Sequence, residues 1–362
     1  MKSKVSMTDY IGCYSMSSGP VGHSLKVIND YIRYFHDNLE IEVLAPEGYL
    51  PYIKASKKLA LPKYTDAERS GKGAWQNIKE MLQSFKNINY ALKNASSEIV
   101  WFYNVDQFLF MYLFFFGFHG KKLIITLFAR EYPKAYHNFC MRKVLPKIGL
   151  VISSNPEFAA ERCRSIYMPD YLYDADIYDK YCENKKEKRI VCVGTMNASK
   201  RILELVSAFR ENNIPLEIYG LFYDQQYYQQ VLEKCTENIK IENRYLDYEE
   251  YLEVLGSSQY CVLPYNMEAY GNFTSGVLLE CMYLKTIPIT DARLLSRMCI
   301  NGMGYQTIEE LGKMELDDGK RKQILEANQK LISDCYSAGQ CRGKIERAIN
   351  GIGGQSARHV EE

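Results

Sequence analysis

Twice along the chain, short β-branched or aromatic runs alternate with longer amphipathic stretches, and this double alternation constrains the fold more than any other feature. In the first series, residues 10–14, 41–45, 99–103, 122–128 and 150–153 read as strands, and 24–35, 74–94 and 107–116 as helices. Residues 51–73, polar and rich in Lys, read as an exposed loop or short helices. In the second series, residues 190–193, 216–219, 239–241, 260–263 and 287–290 read as strands, and 201–211, 225–236, 248–255, 275–284 and 319–336 as helices. Strand, crossover helix and strand, repeated, predict a parallel sheet with helices on both faces. Between the two series lies 173–189, where charges and tyrosines replace the periodic pattern.

The expected fold class is α/β, with two Rossmann-like doubly wound domains. A chain of 362 residues is long enough for two cores. Residues 1–172 are assigned to the first domain, 173–340 to the second, and 341–362 to a C-terminal helix or tail that packs back toward the first. Open sheets of this kind bind ligands at the carboxyl ends of their strands, so the two domains are expected to face each other across a cleft.

Composition narrows the function classes. Apolar residues at 47% and charged residues at 25% are those of a globular protein, not of a disordered or fibrous one. Net charge is only +1, too small a field to gather nucleic acid, so no nucleic-acid partner is expected. The total hides an asymmetry: 22 Lys and Arg face 15 Asp and Glu in residues 1–170, against 23 and 29 in the rest. Such a split arises when one half faces an anionic substrate or membrane, and equally from drift among solvated side chains. Eleven cysteines, odd in number and set in apolar runs such as Ile190-Val-Cys192-Val193, fit buried thiols in a reducing compartment. None has metal-ligand spacing, and the N-terminus carries no apolar leader, so the expected location is cytoplasmic. The apolar run 108–118, FLFMYLFFFGF, is too short to span a bilayer. It reads as a buried helix of an α/β layer, with a membrane-touching aromatic patch as the competing reading.

Two segments carry the chemistry. In Arg189-Ile-Val-Cys-Val-Gly194-Thr195-Met-Asn-Ala-Ser-Lys200-Arg201 a strand enters a Gly turn, and a Lys precedes a helix. Backbone N–H groups at a helix start attract phosphate, and Lys200 can reach the same oxygens. In Leu263-Pro-Tyr-Asn-Met-Glu268-Ala-Tyr-Gly-Asn272-Phe-Thr274-Ser275-Gly276-Val-Leu-Leu-Glu280 a strand gives way to a polar loop and then a helix. That helix start suits a diphosphate, and Glu280 in its second turn suits ribose hydroxyls; the plainer alternative is Ser275 as a cap and Glu280 as a solvated surface residue.

In that order the two segments resemble the donor-nucleotide half of a GT-B glycosyltransferase, especially glycosyltransferase family 4. Gly194, Lys200 and Glu280 fall on the family pattern, whereas Thr195 stands where the family usually has Arg. The family's two glutamates sit eight positions apart. Here Glu268 keeps the Glu-x-aromatic-Gly order but lies twelve before Glu280, while Asn272 lies eight before it, so either residue could contact the transferred sugar. Gly19, Gly22 and His23 resemble the family's N-terminal glycine loop near the acceptor. Arg130 and Glu131 follow an expected strand end, which makes Arg130 a cleft candidate. A histidine that family members often carry is absent from Tyr103-Asn-Val-Asp106 and from Thr126-Leu-Phe128.

The resemblance implies transfer of a sugar from a nucleotide-diphosphate sugar to a glycan or lipid-linked acceptor, with retention of configuration, in assembly of a bacterial capsule or O-antigen. Lys200 and Glu268 would be catalytic. Gly194, Thr195, Asn272, Thr274, Ser275, Gly276 and Glu280 would bind donor. No metal is expected: Asp174-Ala-Asp176 lies in the linker rather than after a strand of the sheet. A peripheral contact of the basic first half with anionic membrane is the further expectation, motivated by Lys121, Lys122, Arg130, Lys134, Arg142, Lys143 and Lys147. Two other readings remain: a catalytically silent partner or co-chaperone of another glycosyltransferase, and a nucleotide-sugar epimerase on the same architecture.

Overall fold

A computed structural model describes residues 2–11, 13–15, 19–21, 24–62, 65–66, 74–127, 132–154, 164–183, 185–270 and 274–353. The chain divides into two compact units: Met1–Ser154, Phe158–Asp170 and Cys341–Glu362 form the first, Asn155–Glu157 and Tyr171–Gln340 the second.

The first unit runs through β1 (Ser3–Thr8), β2 (Cys13–Ser15), β3 (Gly19–Val21), α1 (Ser24–Phe35) and β4 (Leu39–Pro46). It continues through β5 (Lys57–Leu61), β6 (Thr65–Asp66), α2 (Ala74–Asn94), β7 (Ile99–Phe102), α3 (Gln107–Phe116), β8 (Lys122–Leu127), α4 (Ala135–Val144), β9 (Leu150–Ser153) and β10 (Ser165–Tyr167). Seven strands make a wholly parallel sheet in the order β10-β9-β8-β7-β1-β4-β5, and β3, β2 and β6 make a small separate one. β7 and β9 are buried along their whole length and β8 from Leu123 onward, as a sheet covered on both faces requires. On one face α2, α3 and α4 close over Val100, Phe102, Leu123 and Ile125. On the other, the Tyr31 ring of α1 stacks on Trp101 at 5.3 Å.

Three sequence readings are corrected here. The first strand is Ser3–Thr8, not 10–14. Its polar inner residues disguised it: buried Ser6 donates to Glu42 at 2.7 Å and accepts from the Ser97 N–H. Tyr10 follows the strand and donates its hydroxyl to Asp106, the cap of α3. The stretch 51–73 contains β5, an edge strand whose exposed Lys57 and Lys58 read as loop, although lysines are what an edge strand needs to resist pairing with other chains. The run 108–118 is only half covered. Leu109, Phe110, Tyr112 and Leu113 of α3 are buried, whereas Phe114, Phe115 and Phe116 are exposed before Gly117 (φ 76°) ends the helix.

The second unit comprises α5 (Ala175–Tyr178), β11 (Ile190–Val193), α6 (Ile202–Glu211), β12 (Leu216–Tyr219), α7 (Gln225–Leu232), β13 (Ile239–Glu242) and α8 (Tyr248–Gly256). Then come β14 (Tyr260–Leu263), α9 (Met267–Tyr270), α10 (Gly276–Tyr283), β15 (Ile287–Asp291), α11 (Ala292–Met298), β16 (Met303–Tyr305) and α12 (Asp318–Leu331). Its six strands are parallel, in the order β13-β12-β11-β14-β15-β16. α12 runs on through a π-helical turn, Ile332–Tyr336, before α13 (Ala338–Gly353) begins. From Cys341 onward α13 belongs to the first unit, where Ile345, Ile349 and Ile352 are buried and Lys122 Nζ donates to the Ile352 carbonyl at 3.2 Å.

The hydrophilic stretch before β11 is folded onto the second unit. Tyr173, Tyr178 and Tyr283 pack with ring centroids 5.1–6.1 Å apart. Asp174 caps α5 by accepting from the Asp176 N–H. Beyond them the Lys185 ammonium donates to the Gly256 and Ser258 carbonyls, each at 2.8 Å, and to the Thr286 hydroxyl at 3.0 Å. Removing the ammonium takes the side-chain donor from the Gly256 carbonyl at the end of α8 and leaves the Ser258 carbonyl with the Thr286 hydroxyl. Lys185→Met is therefore expected to lower the unfolding free energy by about 1–3 kcal/mol, read from urea denaturation, with Lys185→Arg recovering part of the loss.

Candidate functional site

In a parallel sheet all strands end on one edge, and ligands gather where the strand order reverses. In the second unit that point lies between β11 and β14, because β12 and β13 lie on one side of β11 while β14, β15 and β16 run off on the other. Both segments singled out above leave the sheet here.

After β11 the chain turns at Gly194 (φ 110°), whose N–H donates to the Tyr219 carbonyl at 3.0 Å. Gly220, at the end of β12, meets it so closely that a Cβ there would lie 1.7 Å from the Gly194 carbonyl oxygen. The returning loop passes exposed Thr195 and makes one short turn, Ala198–Lys200, capped by Asn197, which accepts from the Lys200 N–H at 3.2 Å. Arg201 (φ 50°) then redirects the backbone into α6. This path tucks Lys200 under the sheet end, where its side chain is 9% exposed.

The Lys200 ammonium lies 2.9 Å from where a Gly194 Cβ would stand and 5.6 Å from the centroid of the Tyr265 ring. Among the described residues no carboxylate pairs with it. Burial lowers its pKa from the ordinary lysine value, opposed by the nearby Cys192 and Cys261 thiols. Tyr265 shares a hydrogen bond of 3.0 Å with the buried Ser275 hydroxyl, which also accepts from the Leu278 N–H and so caps α10. The Asn266 N–H donates to the Ser199 carbonyl at 2.9 Å and ties the loop after β14 to the loop after β11. Gly194, Lys200, Tyr265 and Ser275 thus form one continuous set.

The helix start differs from the expectation in one respect. The Ser275 N–H donates to Met298 Sδ at 3.3 Å, so it faces α11 rather than a ligand. Gly276 follows against the Tyr171 ring, which a Cβ would meet at 2.5 Å. Partly buried Thr274 precedes the cap.

Glu280 is not on the surface, contrary to the plainer reading. It is 4% exposed, and its carboxylate accepts from Tyr248 at 3.0 Å and Tyr251 at 2.7 Å, both on α8. Burial, then the adjacent carboxylate, pushes the Tyr251 hydroxyl pKa well up, so it stays a donor.

A second group, missed by sequence reasoning, lies at the ends of β15 and β16. Arg293 donates two side-chain hydrogen bonds, of 2.9 and 2.6 Å, to the Asp291 carboxylate. Burial works to raise the Asp291 pKa, but Arg293 and then Arg201 outweigh it and hold the carboxyl below its usual range. Glu268, exposed in α9 with its N–H donating to Asn266 Oδ1, adds to the field that keeps Arg293 charged. The Tyr305 hydroxyl is buried beside them with no hydrogen-bond partner among the described residues. A charged pair at a strand end, Asp291-Ala-Arg293, was the available sequence signal. Among the described residues no three His, Cys, Asp or Glu side chains assemble as metal ligands.

Of the first-unit candidates, Gly19 lies in β3 opposite Ser15. Gly22, His23 and Arg130, like Asn272 of the second unit, lie outside the described residues.

No protein-family model matches the chain, and no curated protein matches it. Among solved structures it is similar to sucrose-phosphate synthase from Thermosynechococcus elongatus, with a TM-score of 0.68 at 11% identity over 97% of this chain and 100% of that one. It is similar to Anabaena HepE, solved in complex with UDP and glucose, with a TM-score of 0.65 at 12% identity over 96% of this chain and 100% of that one. A UDP-forming α,α-trehalose-phosphate synthase from Burkholderia vietnamiensis gives a TM-score of 0.64 at 8% identity over 96% and 100% of the two chains. The likeness is one of fold. The two parallel α/β sheets are those of the GT-B glycosyltransferases, as the sequence led us to expect.

The approach of Gly220 to Gly194 leaves no room for any side chain. Gly220→Ala is expected to force β11 and β12 apart at their ends and to lower the unfolding free energy by more than about 2 kcal/mol, measured in urea against the wild-type chain.

Proposed function

We propose that the chain is a glycosyltransferase that moves a sugar from a nucleoside diphosphate sugar to a glycan or lipid-linked acceptor. The observation that carries this reading is Lys200, an ammonium buried at the topological switch point with no carboxylate partner among the described residues. Burying a cation without a counter-charge is costly. A diphosphate at the end of β11 offsets that cost, and Gly194 lets it approach the backbone.

Breaking the bond between the anomeric carbon and the diphosphate leaves negative charge on the departing oxygens. Lys200 stabilises that charge where water is scarce, and the Gly276 N–H at the start of α10 adds to it. Exposed Thr195 and partly buried Thr274 flank the same oxygens. Glu268 holds the sugar hydroxyls, with Asn272 as the other candidate for that place. Glu280 meets the ribose when a ribose hydroxyl replaces one of the two tyrosine hydroxyls. The leaving group's charge is met by protein donors rather than a metal, and the acceptor hydroxyl passes its proton to the departing diphosphate as its oxygen bonds to the anomeric carbon, so the transfer retains configuration without a dedicated base. The setting we infer is bacterial capsule or O-antigen assembly at the inner face of the cell membrane.

A second reading, a catalytically silent partner of another glycosyltransferase, draws on two observations. Both tyrosine hydroxyls already occupy Glu280, and Thr195 offers no positive charge.

A panel of nucleotide sugars, followed for nucleoside diphosphate release with and without glycan and lipid-linked acceptors, tests both. HepE is solved with UDP and the Burkholderia enzyme is named UDP-forming, so UDP is the first nucleotide to titrate by calorimetry. Acceptor-dependent release is the expected outcome, with Lys200→Ala lowering kcat by about tenfold to a thousandfold. Binding without release from any donor supports the silent partner, and neither binding nor release overturns the glycosyltransferase reading.

The pH dependence has a definite sign. Burial lowers the Lys200 pKa, so its proton is lost at lower pH than from an ordinary lysine, and the charge that holds diphosphate goes with it. UDP affinity is expected to fall on the alkaline side below the usual lysine pKa, and Lys200→Arg is expected to remove that limb from the titration.

A further inference from the structure

We propose that the outer side of α2, α3 and α4 is a docking surface for an anionic lipid bilayer. Of the twelve large apolar side chains exposed in the described chain, eight lie on these three short stretches of helix. Scattered exposed apolar residues are ordinary, but a contiguous patch marks an interaction site.

The patch is contiguous. On α2, Trp75, Ile78 and Leu82 recur at helical spacing on one stripe, and Trp75 is 81% exposed. The stripe continues to Phe85, whose ring packs at 5.9 Å on Phe116 of α3. Phe114 of α3 touches Phe115 at 5.1 Å and Phe139 of α4 at 5.6 Å.

Its charge identifies the occupant. Helices α2 to α4 carry Lys79, Lys86, Lys93, Arg142 and Lys143 against one acid, Glu80. The Lys143 ammonium lies 5.8 Å from the Phe139 ring, and Lys134, just before α4, lies 5.7 Å from the Tyr136 ring. Aromatic rings flanked by long cationic side chains suit the headgroup layer, where rings enter the interface and ammonium groups reach lipid phosphates. A second copy of the chain would set cation against cation, and the centre of a protein interface is depleted in lysine. No helix of the described residues is long and apolar enough to cross a membrane, so the contact is peripheral.

The structure also revises which cations take part. Lys121 is spent on the Ala95 and Ser97 carbonyls, each at 2.8 Å, and Lys122 on the Ile352 carbonyl, so neither belongs to the surface. Arg130 lies outside the described residues.

The test needs no nucleotide and no turnover, so it stands apart from the glycosyltransferase reading. The full chain is sedimented with phosphatidylglycerol-containing vesicles and with pure phosphatidylcholine vesicles. The chain's two tryptophans are Trp75 and the fully buried Trp101, so a change in emission on adding vesicles, absent in Trp75→Phe, reports the patch. Expected results are binding to the anionic vesicles alone, weakened by salt, a blue shift from Trp75, and at least about tenfold weaker partition for the Phe115→Ser, Phe116→Ser double variant. That variant changes exposed residues only, and its thermal unfolding checks that it is folded. No binding at low ionic strength, equal binding by the double variant, or a concentration-dependent dimer in sedimentation velocity that the same substitutions abolish would each overturn the proposal.

Discussion

The second unit turns on the meeting of two glycines. With Gly220 pressed against the Gly194 carbonyl, β11 and β12 end in register, and the chain after β11 has nowhere to go but back under the sheet edge. Asn197 fixes that return and Arg201 closes it, so the Lys200 side chain points into a place that a surface lysine would avoid. The Tyr265 ring and the Ser275 cap then hold the loop after β14 against the same spot. A buried cation is unstable by itself. Its surroundings are built of backbone and aromatic faces instead of acids, and that is the arrangement expected of a group whose counter-charge arrives with a ligand.

Much of this was legible because it is local. A strand of Ile, Val and Cys, a Gly, a Lys and then a helix lie within a dozen residues, and the Ser275 cap sits directly before the α10 it starts. What escaped was whatever depended on residues distant in the chain. Tyr248 and Tyr251 stand about thirty positions before Glu280, and only the packing of α8 on α10 makes their hydroxyls its partners. Asp291 and Arg293 are neighbours in sequence, but their place beside Glu268 and Tyr305 follows from the strand order. The misplacement of the first strand has the same origin. Ser6 and Thr8 look like loop residues until Glu42 and Ser97 arrive from β4 and the start of β7 to satisfy Ser6. Apolar pattern shows which segments are buried, and it says little about buried polar groups whose partners come from elsewhere.

Net charge near zero now resolves into separate local arrangements. In the second unit several acids near the two ends of the sheet are held in pairs. Arg189 holds Glu217 at the amino end of the sheet, and Arg244 holds Glu242 and Glu250 beyond β13. Asp291 is neutralised by Arg293 on the carboxyl edge, which leaves Lys200 as a buried cation of that edge with no carboxylate partner among the described residues. Four residues of strand separate Arg189 from Gly194, and at about 3.3 Å per residue that distance exceeds the range over which exposed charges act at physiological salt. The acidic average of the unit therefore does not oppose a doubly charged ligand at Lys200. In the first unit the excess of base follows the opposite logic. Its cations are spread along the outer sides of α2 and α4 among exposed rings, where they are individually weak and act together only against an extended anionic surface. One unit concentrates a single cation by burying it, and the other gains reach by leaving many exposed.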